Sequence, residues 1–308
     1  MENEKLTEEE LFSLVEYSPT EAERTGYSDY SYWKSVFANF FKNKPAVILM
    51  IIFFALVIFS FVALKIAKFS PFMDANTDYV YVKPNSTYWF GTDAIGRDLW
   101  SRVWYASQIS LKLAAIVALG ECVIGVVIGC LWGYVKQLDR LLTEVYNIIA
   151  NVPTVIYLTL IGYVVGRGFW ELAIPLIATG WLTMARNVRN LVLMYRDREY
   201  NLASRCLGTP VHRILIKNLV PYLVSVVILR LALSIPTTIS LESTLSYLGL
   251  GLGENIPSLG ILLRNARTAF LNFPHLLVFP AAIVSIVTIS FYLIGNAFSD
   301  ASDPRNHV

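Results

Sequence analysis

Six apolar runs, each close to the length that crosses a lipid bilayer, constrain this chain more than anything else in it. They cover residues 45–64, 109–135, 144–165, 169–185, 219–240 and 276–297. A spanning helix needs about 20 mainly apolar residues, because hydrocarbon offers no partner to a backbone N–H or C=O. The expectation is an all-α integral membrane protein, a six-span helical bundle. Charge content agrees, at 16% of 308 residues against roughly 25% in a soluble domain. A net charge of +2 is too small to imply a nucleic-acid partner; the lipid bilayer is the partner these runs imply. The third and fourth runs are separated only by Gly166-Arg167-Gly168, a tight turn. Pro153, Pro175 and Pro236 lie inside runs, where neighbouring helices or water must meet the freed carbonyls.

Orientation follows from the basic residues. Residues 186–217 hold Arg186, Arg189, Arg196, Arg198, Arg205, Arg213 and Lys217, opposed only by Asp197 and Glu199. The comparably long stretch 241–275 has Arg264 and Arg267. Basic residues are retained on the cytoplasmic side, so residues 186–217 are expected there, and six spans then place both termini there. Lys34, Lys42 and Lys44 agree with this, whereas Lys65, Lys68 and Lys83 oppose it. The acidic opening, residues 1–10, is no secretory signal, so the first run is expected to persist as an anchor.

Thr7 and Glu10 form a capping box, with Leu6 and Leu11 placed as its hydrophobic staple. Trp33, Val36, Phe37, Phe40 and Phe41 recur at helical spacing beside Lys34, Lys42 and Lys44. That pattern fits either a helix on the inner membrane surface or a continuation of the first span. Cys122, Cys130 and Cys206 suggest no disulfide framework, and His212, His275 and His307 lack metal-ligand spacing.

The most informative connector is residues 197–211. It has no helix breaker as far as Leu207, and Gly208 can close a helix in the left-handed conformation. Thr209 is then expected to cap a second helix with Pro210 at its first position. Val211, Ile214, Leu215 and Leu219 give that helix an apolar stripe running into the fifth span. The result is a helix–turn–helix elbow whose small residues, Ala203 and Ser204, permit close approach by another surface. A solvated connector that serves topology alone is the competing reading.

The elbow resembles the Glu-Ala-Ala motif of membrane subunits in binding-protein-dependent ABC importers. Leu202-Ala203-Ser204 stand at its three lead positions, with Gly208 and Pro221 following and Glu199-Tyr200 preceding. Leu202 replaces the usual Glu, and Asn218 replaces the His that often precedes the terminal Leu-Pro. Residues 91–102, with Gly91, Thr92, Asp93, Gly96, Arg97, Asp98 and Arg102, are similar to a signature of the C-type subunits of oligopeptide and dipeptide permeases (OppC/DppC). Residues 242–251, opening at Glu242, and the ending Asp300-Ala301-Ser302-Asp303-Pro304-Arg305 also fit, and within this family the chain resembles the AmiD-type branch.

This resemblance implies a type I ABC importer permease in the cell (plasma or inner) membrane. Its partners would be a second homologous permease subunit, two cytoplasmic ABC ATPases and an extracellular substrate-binding protein. ATP and Mg would be bound by the ATPases, with no cofactor in this chain. No Gly-x-x-x-x-Gly-Lys-Ser/Thr loop occurs in the sequence, so the chain is expected to be a permease and not itself an enzyme. Glu199, Tyr200, Leu202, Ala203, Ser204, Gly208, Thr209 and Pro210 would form the ATPase-coupling elbow, at about 196–218. The expected division is a cytoplasmic segment 1–45, a first span and outer loop 46–108, a core permease domain 109–297 and a tail 298–308. Peptide is the expected cargo; dipeptides, nickel or sugars are alternatives within the family. An ion-coupled carrier acting alone and an intramembrane enzyme are the readings outside it.

In the outer loop, Asp93, Arg97, Asp98 and Arg102 read either as a structural charge network or as a ligand site. Residues 258–270 carry Leu259, Leu262, Leu263 and Ala266 at helical spacing, facing a partner or packing on the bundle. Glu121 and Arg230 are ionisable residues inside spans, where a charge costs about 3 kcal/mol or more at the bilayer centre. They are candidates for the translocation path; the competing reading is a mutual ion pair, or Glu121 held neutral.

Overall fold

The computed structural model describes residues 32–72, 76–253 and 255–302. The capping box and staple at residues 6–11 lie outside them, as do Asp303, Pro304, Arg305 and His307. All regular structure among the described residues is helical, apart from a lone antiparallel bridge between Thr92 and Asp98. Helix α1 is Tyr32–Lys42, α2 Lys44–Lys65, α3 Leu99–Tyr134, α4 Lys136–Ala150 and α5 Thr154–Val165. They are followed by α6 Phe169–Tyr195, α7 Glu199–Cys206, α8 Val211–Tyr247, α9 Leu259–Ala266 and α10 His275–Ser302.

Helices α2, α3, α8 and α10 are each long and apolar enough to cross a membrane. The run expected at 144–165 is not one straight helix: α4 and α5 meet at an 85° bend. Pro153 causes the break, since it cannot donate an N–H to α4 and stands as the N-cap of α5. The α4–α5 pair counts as a fifth span if taken together. Helix α6 is 27 residues long but carries Glu171, Arg186 and Arg189 among its apolar residues.

The two readings of residues 33–41 are separated at Asn43, which interrupts the helix and accepts from the Ala46 N–H as N-cap of α2. Helix α1 is therefore distinct from α2. It buries Val36 and Phe40 against Ala297, Phe298 and Ala301 of α10, and leaves Trp33, Phe37 and Phe41 exposed. Residues 259–266 pack into the bundle, with Leu259, Ile261, Leu262 and Ala266 all buried.

Helices α3 and α6 form the tightest pair. Gly125, Gly129 and Gly133 lie one turn apart on α3, against Met184, Ala185 with Val188, and Val192 of α6. A Cβ at any of the three would stand 2.5–2.7 Å from its nearest neighbour. The residue numbers rise together, so the helices run parallel. Dispersion between closely approaching backbones drives such packing in lipid, where no hydrophobic gain separates helix from tail.

Helix α8 widens into a π turn at Leu215–Leu219. Pro221 follows at once; it has no N–H for the Lys217 carbonyl, and its ring would clash with that group in a regular α turn.

Candidate functional site: an elbow and a charged cavity

At one end of the bundle, α6 turns through Arg196–Arg198 into α7. Gly208, at φ +75°, closes that helix. The Thr209 N–H donates to the Ser204 carbonyl at 3.0 Å and the Gly208 N–H to the Arg205 carbonyl at 2.9 Å. This is the paired pattern that satisfies the last free carbonyls of a helix. The expected capping of the next helix is corrected by one residue: Pro210 is the N-cap of Val211, and Thr209 makes no side-chain cap. Thr209 instead belongs to the end of α7, where its N–H completes the turn at Gly208.

Asn201 is fully buried and holds the elbow shut. Its amide donates to the Tyr195 carbonyl at 2.8 Å, and its carbonyl accepts from the Asn218 amide at 2.9 Å. Asn218 also reaches the Ser204 hydroxyl at 3.4 Å. The departure at Asn218 is thus a side chain that ties α8 to α7, a role the sequence pattern does not reveal. Only the tertiary fold brings positions 201 and 218 together.

Basic residues knit the elbow to the end of α3. Arg196 donates to the Gly133 carbonyl at 2.8 Å, and Arg205 donates to the Arg196 carbonyl at 2.9 Å. Arg205 also stands 5.0 Å from the Tyr134 ring centroid. Asp197 pairs with Arg196 at 2.9 Å and with Arg205 at 3.5 Å. The hydrogen bond from Arg196 holds the Asp197 carboxyl below the usual range. That support is present above the ordinary carboxylate pKa and is lost only as pH falls through the lowered value. Arg189 pairs with Asp139 of α4 at 2.6 Å. The exposed surface of the elbow sets apolar side chains, Tyr200, Leu202, Ala203, Leu207 (85% exposed) and Val211, among charged ones, Arg198, Glu199 and Arg213. Glu199 and Pro210 lie on the same exposed stretch, with Ser204 half-buried behind it.

Glu121 lies near the middle of α3 and Arg230 near the middle of α8. They line one cavity of about 230 Å³ between α3, α5, α6 and α8. No ion pair joins them among the described residues. The Ser234 hydroxyl donates to Glu121 Oε2 at 2.5 Å, and Arg230 donates to Asn187 Oδ1 at 3.2 Å. The mutual-pair reading is therefore not realised in this conformation. Gly180 makes room for the carboxylate, since a Cβ there would overlap Glu121 Oε1.

At the other end of the bundle, Asp93 is the hub of the loop before α3. It accepts from the Arg97 side chain at 2.8 Å and from the Ile95 and Arg97 N–H groups, with Arg102 at 3.7 Å. Thr92 joins this hub to the preceding loop, donating to the Tyr79 carbonyl and accepting from the Val82 N–H at 2.8 Å. Gly91 and Gly96 take positive φ in its turns. Asp98 belongs to a different job: it caps α3 through the Ser101 N–H at 2.9 Å. Burial pushes the Asp98 carboxyl up, against the hydrogen bonds from Ser101 and Trp100 that lower it. Glu242 is fully buried over the start of α9, accepting from Ser246 at 2.7 Å and Ser258 at 2.6 Å. It ties α8 to α9, and Ser110 of α3 accepts the Leu259 N–H beside it. Among the described residues no cluster of His, Cys, Asp or Glu forms a metal site.

The comparisons with known proteins agree with this architecture. Residues 125–308 match the model of the binding-protein-dependent transport system inner membrane component, and residues 31–84 match the N-terminal transmembrane domain of oligopeptide transport permease C. The oligopeptide transport system permease protein AmiD of Streptococcus pneumoniae is 38% identical over 304 residues, covering 97% of this chain and 98% of that one. OppC of Bacillus subtilis, also an oligopeptide transport permease, is 30% identical over 96% of this chain and 97% of its own. The dipeptide transport permease DppC of the same organism is 31% identical over 96% and 93%. An inward-facing structure of the MetNI methionine ABC transporter shares the fold at TM-score 0.55 and 18% identity, over 64% of this chain and 94% of that one. With its apolar helices, its all-α fold and a family match over more than half its length, the chain belongs to the binding-protein-dependent transport system inner membrane components, as a multi-pass membrane protein.

Proposed function

We propose that this chain is one of two membrane subunits of an ATP-driven importer of peptides, and that residues 196–218 are its point of attachment to an ATPase. The observation that carries the attachment is the elbow itself. The apolar side chains of Tyr200, Leu202, Leu207 and Val211 stand exposed on a short helix that Asn201, Arg196 and Arg205 fix to the bundle. Exposed apolar side chains gathered on one projecting helix mark a surface for another protein, and a rigid mounting transmits force where a flexible one would absorb it.

In this reading the six spans are α2, α3, the α4–α5 pair, α6, α8 and α10, and both termini are cytoplasmic. The segment 1–45 is cytoplasmic, residues 46–108 form the first span and outer loop, 109–297 the core permease, and 298–308 the tail. Glu199, Tyr200, Leu202, Ala203, Ser204, Gly208, Thr209 and Pro210 seat in a groove of one ATPase. ATP and Mg belong to the two ATPases, a second homologous permease completes the channel, and an external binding protein delivers cargo. Glu121 and Arg230 line the path. Gly91, Thr92, Asp93, Gly96, Arg97, Asp98 and Glu242 hold the outer end in shape. Peptide cargo is supported by what the relatives are named for.

Affinity purification from a native membrane tests the assembly. Recovery with two ATPases and a second permease, together with a crosslink from Leu202→Cys to an ATPase, is expected. Proton-driven uptake by the purified chain alone would mean a solitary carrier instead. Competition between labelled peptides, nickel and sugars in a strain lacking this subunit reads the cargo.

A further inference from the structure

The polar cavity at the centre of the bundle is built to receive positive charge. Glu121 brings a carboxylate to the middle of α3, and no guanidinium or ammonium lies within salt-bridge distance of it among the described residues. Its partner is a neutral hydroxyl, Ser234, at 2.5 Å. Arg230, the only cation among the described residues that line the same cavity, is drawn away to Asn187. Asn187 lies seven residues beyond Gly180 on α6, about 10 Å along the helix axis at 1.5 Å per residue, while Gly180 is the residue against Glu121.

The lining completes the preference. Thr179 donates its hydroxyl proton to the Pro175 carbonyl at 2.8 Å, and Thr237 donates to the Leu233 carbonyl at 2.7 Å. A hydroxyl that has given its proton to its own helix presents only lone pairs to the cavity. Glu121, Thr179 and Thr237 therefore offer acceptors to a group that carries several N–H donors and a positive charge. Size limits what enters. About 230 Å³ falls below the roughly 300–1,000 Å³ that encloses a drug-sized ligand, so the cavity holds one end of a flexible molecule.

We infer that Glu121, with the Thr179 and Thr237 hydroxyl oxygens, forms a transient site for a primary ammonium group of a peptide in transit, either its N-terminal amine or a lysine side chain. The inference rests on the proposal that Glu121 lines the path, and it adds the sign of the charge that the cavity selects.

The test uses the assembled complex in membranes, with Cys122, Cys130 and Cys206 replaced by Ser and, as reporter, Thr183→Cys, which lines the same cavity outside the three site groups. Rates of modification are measured with a cationic reagent that ends in a primary ammonium, 2-aminoethyl methanethiosulfonate, and an anionic one, sulfonatoethyl methanethiosulfonate. The cationic reagent is expected to react faster relative to its rates with a free thiol. Glu121→Gln should lower that ratio about fivefold or more, Arg230→Gln should raise it, and Glu121→Asp should preserve it, since a charge in a low-dielectric cleft concentrates counter-ions. If neither reagent reaches the thiol in any nucleotide state, the path reading fails. If both reach it and the ratio does not move in Glu121→Gln or Arg230→Gln, the path stands and the ammonium site is overturned.

Uptake then separates the two ammonium sources, each peptide being scored as the ratio of Glu121→Gln to the otherwise unaltered complex, so that the binding protein's own preference cancels. Loss confined to a free-amine peptide without lysine assigns the site to the N-terminus; loss for an N-acetylated lysine peptide assigns it to the side chain. Equal loss for both and for an N-acetylated peptide without lysine overturns the ammonium site. Where the unaltered complex does not import one of these peptides, the reagent ratio alone upholds or overturns the site.

Discussion

Gly208 and Glu121 mark two kinds of dependence at the scale of single residues. Gly208 sits at φ +75° with nothing within 4 Å of where a Cβ would be. The penalty for Gly208→Ala is therefore the left-handed backbone alone, about 1–2 kcal/mol, and not a clash. Asn tolerates this region better than Ala, so Gly208→Asn should retain more function. Thermal unfolding of the complex in detergent checks the order Gly, Asn, Ala; an Ala variant as stable as the parent would remove the strain argument. The conformation of Gly208 was legible in sequence because only local sterics set it. That Glu121 and Arg230 need polar surroundings was equally legible, since burial of a charge in lipid is costly wherever it occurs. Their failure to pair was not, because helix rotation and the hydroxyl of Ser234, 113 positions away, decide it.

Among the elements, the parallel contact of α3 and α6 depends on Gly125, Gly129 and Gly133. A Cβ at Gly129 would lie 2.6 Å from the Ala185 carbonyl oxygen and 2.7 Å from Val188 Cβ, and neither backbone nor β-carbon can rotate aside. Gly129→Leu is expected to push the helices apart and prevent assembly, whereas Val123→Leu, on the same helix at a position 64% exposed, should assemble normally. Yield of intact complex by size exclusion distinguishes them; equal yields would mean the seam is dispensable. The repeat of three glycines at spacing four is visible in the sequence and its meaning is not, for spacing names a face and not the helix that covers it. The same limit explains the α4–α5 break. Hydropathy counts apolar residues and ignores direction, so it gives one span across Pro153, where the backbone turns by 85°.

Across the whole molecule, the elbow, the α3–α6 pair and the central cavity are one connected body. Arg196 grips Gly133 at the foot of the glycine seam, and the same seam runs up α3 to Glu121 opposite Gly180. Helix α8 leaves the far side of the elbow and carries Ser234 back to Glu121. A force on the elbow thus reaches α3–α6 through Arg196 and α8 through Asn218, and both routes lead to the cavity. Replacing Arg196 and Arg205 together with Ala should leave ATP hydrolysis by the complex running while peptide uptake falls about tenfold, as hydrogen bonds to charged groups are worth about 1.5–3 kcal/mol. Hydrolysis and uptake measured in the same vesicles check this; parallel loss of both would place the arginines in assembly instead.

Residues read in order were enough to place the chain in lipid as helices, to mark Gly208 as a helix end and to show which family it resembles. Each of these follows from short-range chemistry: apolar length, a residue's own backbone preference, a motif's spacing. Only the packing of the helices set Asn218 against Asn201 at the elbow and Glu121 against a hydroxyl instead of Arg230. Those outcomes depend on which side chains helix packing brings within about 3 Å of one another, and a linear pattern carries no such distance.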